Sequence, residues 1–369
     1  MAIHKKIGVH PSFLAAEHFT RRRRPGSNSF DIHVSAIVKR IRHRSRVYIS
    51  FAIHCFVLLT YEWKQRRSNR NVQFIAVALV EHMGDIVACE PVARYVRKQY
   101  PGAAIVWLVN ARYSELVASN PNVDFFLTVH CLTEKDLLLR ATLFDRVFDL
   151  HFPERYCAVC GTAPHHTSSP EQIGLANFYN YGNLLGTMSL SAGLPAIEDQ
   201  PRVYISENIA KRVDAAHLPP MFVAVHCLSN TVEKDWPRRN WELLANHIMS
   251  SYGYTIVEVG LNAVLGETEN TLYKNLTGRF SILETAEVIR RATLFVGIDS
   301  GPAHLANAVG TYGVIMMGSY LGFARYNPFP GAYGNGKNAS LLHVSGSVAN
   351  LPVQPVMEII AAHLNPNIP

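Results

Sequence analysis

Cysteine is scarce. Six in 369 residues cannot build the dense bridge framework of a small secreted domain. A cleavable leader is also missing, since the first apolar run comes late and has no small-residue cleavage site. Both absences point to a reducing, cytoplasmic setting. Long apolar runs are absent as well. The best candidate, VYISFAIHCFVLLTY from Val47 to Tyr61, has 15 residues and His54 in its middle, short of the ~20 needed to span a bilayer. Charged residues make up only 17% against 48% hydrophobic, which excludes a disordered chain and favours a globular one. Short-period repeats and low-complexity tracts are lacking, apart from Arg21–Arg24.

The charge that is present is unevenly placed. Residues 1–70 carry 15 Lys and Arg against 3 Asp and Glu, a net of +12, and the rest of the chain has a net of −5. The basic character therefore belongs to an N-terminal extension. Such an extension suits an anionic surface, whereas the mildly acidic remainder makes a poor nucleic-acid groove. Arg40, Arg42, Arg44 and Arg46 precede the 47–61 stretch, and Lys64, Arg66 and Arg67 follow it. Basic flanks on both sides set no orientation across a bilayer. We read the stretch as a helix lying at an anionic membrane surface, ahead of a helix packed on the first domain with its charges solvated. On that reading residues 1–69 are dispensable for folding.

From Val72 on, short apolar runs alternate with helical patterns. Phe74–Val80, Ala103–Val109, Phe125–Val129 and Arg146–Leu150 read as strands, with helices around Val92–Tyr100, Ser114–Ala118 and Lys135–Ala141. Residues 151–200 are less regular. A second series follows, with strands at Met221–Cys227, Tyr254–Gly260, Leu294–Ile298 and Gly313–Met317, and helices at Trp241–Ser251, Glu284–Arg291 and Ala303–Val309. Continuous apolar strands separated by helices imply parallel sheets covered on both faces. Two such α/β halves, joined near 205–220, leave a cleft at the carboxyl ends of their strands, where ligands of open sheets bind.

Three segments at strand ends carry chemistry. In FVGIDSGPAHLANAVG, Phe295–Gly310, a strand ends at Asp299 and a helix begins. Ser300 can cap it, Pro302 suits its first turn, and Gly301 removes bulk where the backbone must approach something. Free N–H groups there suit a diphosphate. Asp299 would repel that group, so it is better used on sugar hydroxyls or held by a neighbouring donor. The spacing reads equally well as an ordinary capped helix. In EKDWPRRNW, Glu233–Trp241, Lys234 can meet phosphate charge, although by itself it reads as a solvated loop lysine; Trp236 and Trp241 read as packing residues. In His82-Met-Gly-Asp85, Asp85 can accept a hydroxyl proton or cap the following helix, or both.

Together these three segments resemble glycosyltransferase family 9, the ADP-heptose:lipopolysaccharide heptosyltransferases, over roughly residues 72–345. The closest likeness is VGIDSGPAHLANAVG; HMGDIVACEPVARYVRKQYPGAAIVWLV and EKDWPRRNW are similar to that family's opening turn and central loop. The resemblance implies an α/β GT-B fold, two Rossmann-like domains facing across a cleft, here preceded by a basic helical extension. It implies residues 71–205 as the acceptor domain and 206–369 as the nucleotide-sugar donor domain. The activity implied is inverting sugar transfer, without metal or cofactor, from a nucleotide-diphosphate sugar such as ADP-heptose to a glycan or glycolipid. Asp85 is then the general base, and Lys234, Asp299, Ser300, Gly301 and His304 bind the donor. Glu267 aligns loosely with a ribose-binding carboxylate.

Two departures stand out. Residues 1–70 have no counterpart in the compact family members, and FDLHFPERYCAVCGTAPHH differs where acceptor-contacting loops are expected. Cys157-x-x-Cys160 beside His165 and His166 is read as a pair of free loop thiols, since a second ligand pair at zinc spacing is wanting. Two rival functions are a non-hydrolysing nucleotide-sugar epimerase, which would turn over donor alone, and a silent sugar-nucleotide-binding subunit, which a sealed cleft would favour.

Overall fold

The computed structural model describes residues 29–162, 172–266, 271–320, 323 and 326–364, with side chains from residue 37 onward. The chain opens with a 40-residue helix, α1 (Ser29–Ser68). The first α/β half then runs β1 (Phe74–Ala78), α2 (Met83–Ala88), α3 (Glu90–Gln99), β2 (Ala104–Asn110), α4 (Ser114–Ala118), β3 (Phe125–Val129), α5 (Leu132–Arg140), β4 (Arg146–Asp149) and α6 (Leu184–Ser191). The second runs α7 (Glu207–Asp214), β5 (Phe222–His226), α8 (Arg238–Tyr252), β6 (Thr255–Glu258), β7 (Tyr273–Asn275), α9 (Ile282–Arg291), β8 (Leu294–Ile298), α10 (Gly301–Val309), β9 (Gly313–Met317), α11 (Gly331–Gly334), β10 (Ala339–His343) and α12 (Val353–Leu364).

Each half is built on a wholly parallel sheet, the first ordered β3-β2-β1-β4 and the second β7-β6-β5-β8-β9-β10. The apolar runs explain this. Every residue of β1, β5, β8 and β9 is buried, which requires helices on both faces and hence crossover connections. The strand order reverses direction beside β1 in one sheet and beside β5 in the other. At such a point the loops leaving two adjacent strands diverge and open a crevice. In the first sheet that crevice lies beyond β1 and β4; in the second it lies beyond β5 and β8. The architecture is that of two Rossmann-like sheets.

The long helix corrects one expectation. Along one face it packs on the first half and does not stand free as a tail. Val47 and Leu58 are fully buried, and Phe51, Cys55 and Tyr61 pack on the β1–β3 face. Tyr61 stacks on Phe125 at 4.7 Å and meets Phe74 edge-on at 5.8 Å. His54, the polar residue in the apolar run, turns inward to the buried Glu134 of α5 at 2.8 Å. Burial works to raise the Glu134 pKa, but hydrogen bonds from His130 and His54 outweigh it and bring it down to about 2, so the carboxylate is ionised and its hydrogen bond with His54 links α1 to α5. The opposite face of α1 leaves Ile41, Ile49, Ile53, Phe56 and Trp63 exposed. Among the described residues no helix is long and apolar enough to cross a membrane.

Candidate functional site

The two strand-end motifs expected to face each other do so, and they touch. Asp85 is the third residue of α2, directly beyond β1, and α10 starts directly beyond β8. A Cβ on Gly84 would lie 2.7 Å from the His304 ring, and one on Gly301 would lie 2.0 Å from the Met83 methyl. The glycines are therefore required by close approach of one half to the other. Met83 covers the first turn of α10, so the crevice is closed at that point.

Asp85 caps the start of α2. Its Oδ2 accepts the His82 backbone N–H at 3.2 Å and stands 3.5 Å from His82 Nδ1. Burial acts to raise its pKa, but the His82 ring and amide, with a smaller contribution from His304, hold the carboxyl below its ordinary value. His82 moves the other way: its hydrogen bond to Asp85 raises it against burial. Asp85 is thus an ionised acceptor at neutral pH, part-exposed at the mouth of the crevice.

On the opposite wall, Lys234 and Asp299 form an ion pair. This is the neighbouring donor that Asp299 needed. Lys234 Nζ also donates to the Tyr326 hydroxyl at 3.2 Å and lies 4.6 Å from the Tyr320 ring centre. Trp236 and Trp241 are buried packing residues, meeting edge-on at 5.1 Å. Ser300 departs from expectation. Its hydroxyl makes no cap to α10; it donates to the Ile298 carbonyl at 3.1 Å and bonds His226 Nδ1 at 3.0 Å. The start of α10 thus has no side-chain cap; the Ala303 and His304 amides donate to the Ser300 carbonyl and Pro302 has none to offer, which leaves the Gly301 amide and the helix dipole to an anion. His304 is buried under Phe329 at 4.6 Å. Burial lowers its pKa, against the pull of Asp299 and Asp85, and its Nδ1 has no partner among the described residues. A buried polar nitrogen without a partner costs about 1–3 kcal/mol.

Two groups of residues escaped the sequence reading. His226 ends β5 at the switch point, and burial drives its pKa down to about 4, so it is neutral. Its signal was a lone polar residue closing an apolar run. The second group is an aromatic wall. Tyr179, from the irregular 151–200 segment, meets Phe323 at 5.3 Å and Tyr326 at 4.9 Å, while Tyr320 stacks on Tyr326 at 5.1 Å. Burial, with Asp299 and Asp85 nearby, pushes the Tyr179 phenol well up, so it remains a hydrogen-bond donor. Tyr320, Phe323, Tyr326 and Phe329 recur every third residue, a repeat visible in the sequence but without meaning until Lys234 was placed among them. Glu267 lies outside the described residues.

Cys157 and Cys160 are free thiols, and they converge with Cys131 and His43, four residues whose ligand atoms all lie within 4.8 Å of one another. Their expected neighbours His165 and His166 lie outside the described residues.

Residues 181–319 match the family model described as glycosyltransferase family 9 (heptosyltransferase). That stretch contains Lys234, Asp299, Ser300, Gly301 and His304; Asp85 lies before it. No curated protein matches the chain in sequence. Among solved structures, a family 9 glycosyl transferase from Veillonella parvula DSM 2008 is 18% identical, with a TM-score of 0.60, covering 80% of this chain and 98% of its own. The ADP-heptose lipopolysaccharide heptosyltransferase II of E. coli is 20% identical, with a TM-score of 0.60, covering 79% and 98%. An E. coli heptosyltransferase solved with ADP is 15% identical, with a TM-score of 0.51, covering 80% and 100%.

Proposed function

We propose that the chain is a member of glycosyltransferase family 9, on its match over residues 181–319, and that it moves a heptose-like sugar, with inversion and without a catalytic metal, from ADP-heptose or a similar nucleotide-diphosphate donor to a hydroxyl of lipopolysaccharide or another surface glycan. Residues 71–205 serve the acceptor and residues 206–369 the donor. The observation that carries this reading is the meeting of an ionised Asp85 with the uncapped start of α10 across one crevice. The acceptor oxygen gives its proton to Asp85 and attacks the anomeric carbon as the bond to the diphosphate oxygen breaks. Charge appearing on the leaving diphosphate is met by Lys234 and by the Gly301 amide at the positive end of α10. Such prearranged donors in a closed site can do the work of a metal ion. Before donor binds, Asp299 and the tyrosines hold Lys234 in place. His304 Nδ1 then meets a donor oxygen, and Ser300 can do so by giving up its bonds to Ile298 and His226. Because Met83 covers Gly301, entry requires the halves to part and reclose, as in enzymes gated by domain motion.

The closed contact at Met83 also suits the silent binding subunit, which makes turnover the deciding measurement. ADP-heptose should be consumed only when an acceptor glycan is present, giving ADP and a product of opposite anomeric configuration. Conversion of donor alone would identify an epimerase, and donor binding without turnover under any acceptor would identify the silent subunit.

We also propose that α1 rests on an anionic membrane surface. The exposed Ile49, Ile53 and Phe56, flanked by Arg42, Arg46 and Lys64, combine apolar burial with attraction to acidic lipid. This would keep the enzyme beside a lipid-borne acceptor.

A further inference from the structure

Outside the crevice, the chemistry-bearing group with the most consistent geometry joins α1, the start of α5 and the turn after β4. We propose that His43, Cys131, Cys157 and Cys160 form a structural zinc site that staples the long N-terminal helix to the first sheet.

The distances carry the assignment. Cys131 Sγ and Cys160 Sγ are 3.9 Å apart, and His43 Nε2 is 3.6 Å from Cys157 Sγ. A disulfide would need about 2.05 Å between sulfurs, which no pair approaches. A tetrahedral zinc ion, with bonds of about 2.3 Å to sulfur and 2.0–2.1 Å to nitrogen, sets ligand-to-ligand edges of about 3.8 Å for two sulfurs and about 3.6 Å for sulfur and nitrogen. The observed separations match both edges. Three thiolates and one imidazole also form a donor set that selects zinc over hard cations such as magnesium and calcium.

The surroundings are built to hold such a centre. Cys157-x-x-Cys160 forms a turn closed by the Gly161 N–H donating to the Cys157 carbonyl at 2.9 Å, with Gly161 at φ +62°. Cys131 occupies the N-cap position of α5 with extended backbone. Three thiolates and a divalent ion leave one negative charge, which Arg40 and Arg44 beside the turn oppose and Glu134 on α5 does not. Arg40 Nε donates to the Val159 carbonyl at 3.1 Å, and Arg44 donates to that of Cys160. The Thr133 and Thr162 hydroxyls bond at 2.7 Å, tying the start of α5 to the turn. With four protein ligands no position is left for substrate or water, so the site is structural and stands apart from sugar transfer. Its use follows from where α1 is otherwise held. Residues 37–42 and 44–46 are exposed, and firm burial begins at Val47. The four ligands, with Arg40 and Arg44, are the tie for the basic end of the helix.

The test is elemental analysis of the full chain purified without a metal-affinity step. About one zinc per chain is expected, retained through dialysis, with Cobalt(II) exchange giving the visible bands of a tetrahedral thiolate centre. Cys157→Ser/Cys160→Ser and His43→Ala should each lose the ion, while Cys55→Ser should keep it. A chelator should lower the melting temperature of the wild type but not of the double variant. Wild-type protein that carries no zinc, that carries another metal, or whose Cys131, Cys157 and Cys160 are bridged by a disulfide or alkylate freely in the native state would overturn the proposal. Zinc retained by the double variant would do so too. The wild-type measurements decide the matter even if a variant fails to fold.

Discussion

His226 offers a quantitative check on the crevice floor. Its ring fills the space above Gly260, where a Cβ would come within 2.7 Å of it, and it is bonded to Ser300. Burial takes its pKa from the ordinary 6.5 down to about 4. In the unfolded chain the same imidazole protonates near 6.5, so between those two values the unfolded state binds more protons. Stability must therefore fall as the pH falls through that window. The full difference corresponds to roughly 3 kcal/mol, of which about 2 kcal/mol should already be lost at pH 5. Other groups titrate in the same range, so the His226→Asn variant is needed to isolate this one. Asparagine can still bond Ser300 but cannot charge. It should be less stable than the wild type at pH 7 by about 1–3 kcal/mol, for lost contacts and an imperfect hydrogen bond. By pH 5 the gap should shrink or reverse by roughly 2 kcal/mol. Urea unfolding followed by tryptophan fluorescence reads this directly, because Trp236 and Trp241 are buried against the second sheet. A stability difference that does not change with pH would refute the reasoning, since it would mean that the ring is solvated or charged in the folded protein.

The remaining predictions concern transfer and the surface of α1. Asp85→Asn keeps an acceptor for the His82 amide, so the fold should survive while turnover drops by about 10²–10⁴-fold with donor affinity little changed; normal turnover in the folded variant would reduce Asp85 to a cap. Lys234→Ala leaves Asp299 without its partner and the diphosphate without its cation, so kcat/KM should fall by a few kcal/mol in transition-state terms, and a weaker effect on kcat than on KM would place Lys234 in ground-state binding alone. Initial rates should be insensitive to EDTA added at assay; strict dependence on a divalent ion would end the metal-free scheme. Gly301→Ala must displace Met83, and crevice closure should be hindered, seen as a loss of kcat with an unchanged far-ultraviolet spectrum. Ile49→Glu/Phe56→Glu should weaken binding to anionic vesicles in a salt-sensitive way without unfolding the protein, and undiminished binding would remove α1 as the contact.

The architecture was legible in the sequence because parallel sheets leave a plain mark. Runs such as Phe74–Ala78 and Leu294–Ile298 are apolar at every position, since both faces are covered. The crevice motifs were legible through the resemblance of three segments taken together, since the spacing of Asp299–Pro302 by itself reads equally well as an ordinary capped helix. Lys234 and Asp299, 65 positions apart, were flagged separately, and only folding showed that they form one ion pair. What approaches Gly84 and Gly301 was equally hidden. Sequence spacing shows that backbone must come close, but the partner belongs to the other half of the chain.

Long-range convergence accounts for the rest. The 47–61 run announced an apolar helix, yet an apolar stripe has the same composition whether it meets lipid or protein. The inward turn of His54 to Glu134 decides that one face meets protein. The pair Cys157 and Cys160 was visible, but Cys131 and His43 lie 26 and 114 residues before Cys157, so no local spacing announces the fourfold cluster. Local order along this chain is set by hydrophobic period and by residues with special backbone demands, which act within a few positions. The ion pair, the aromatic wall and the Cys/His cluster depend on distances in space, and those exist only once the two sheets and α1 have packed.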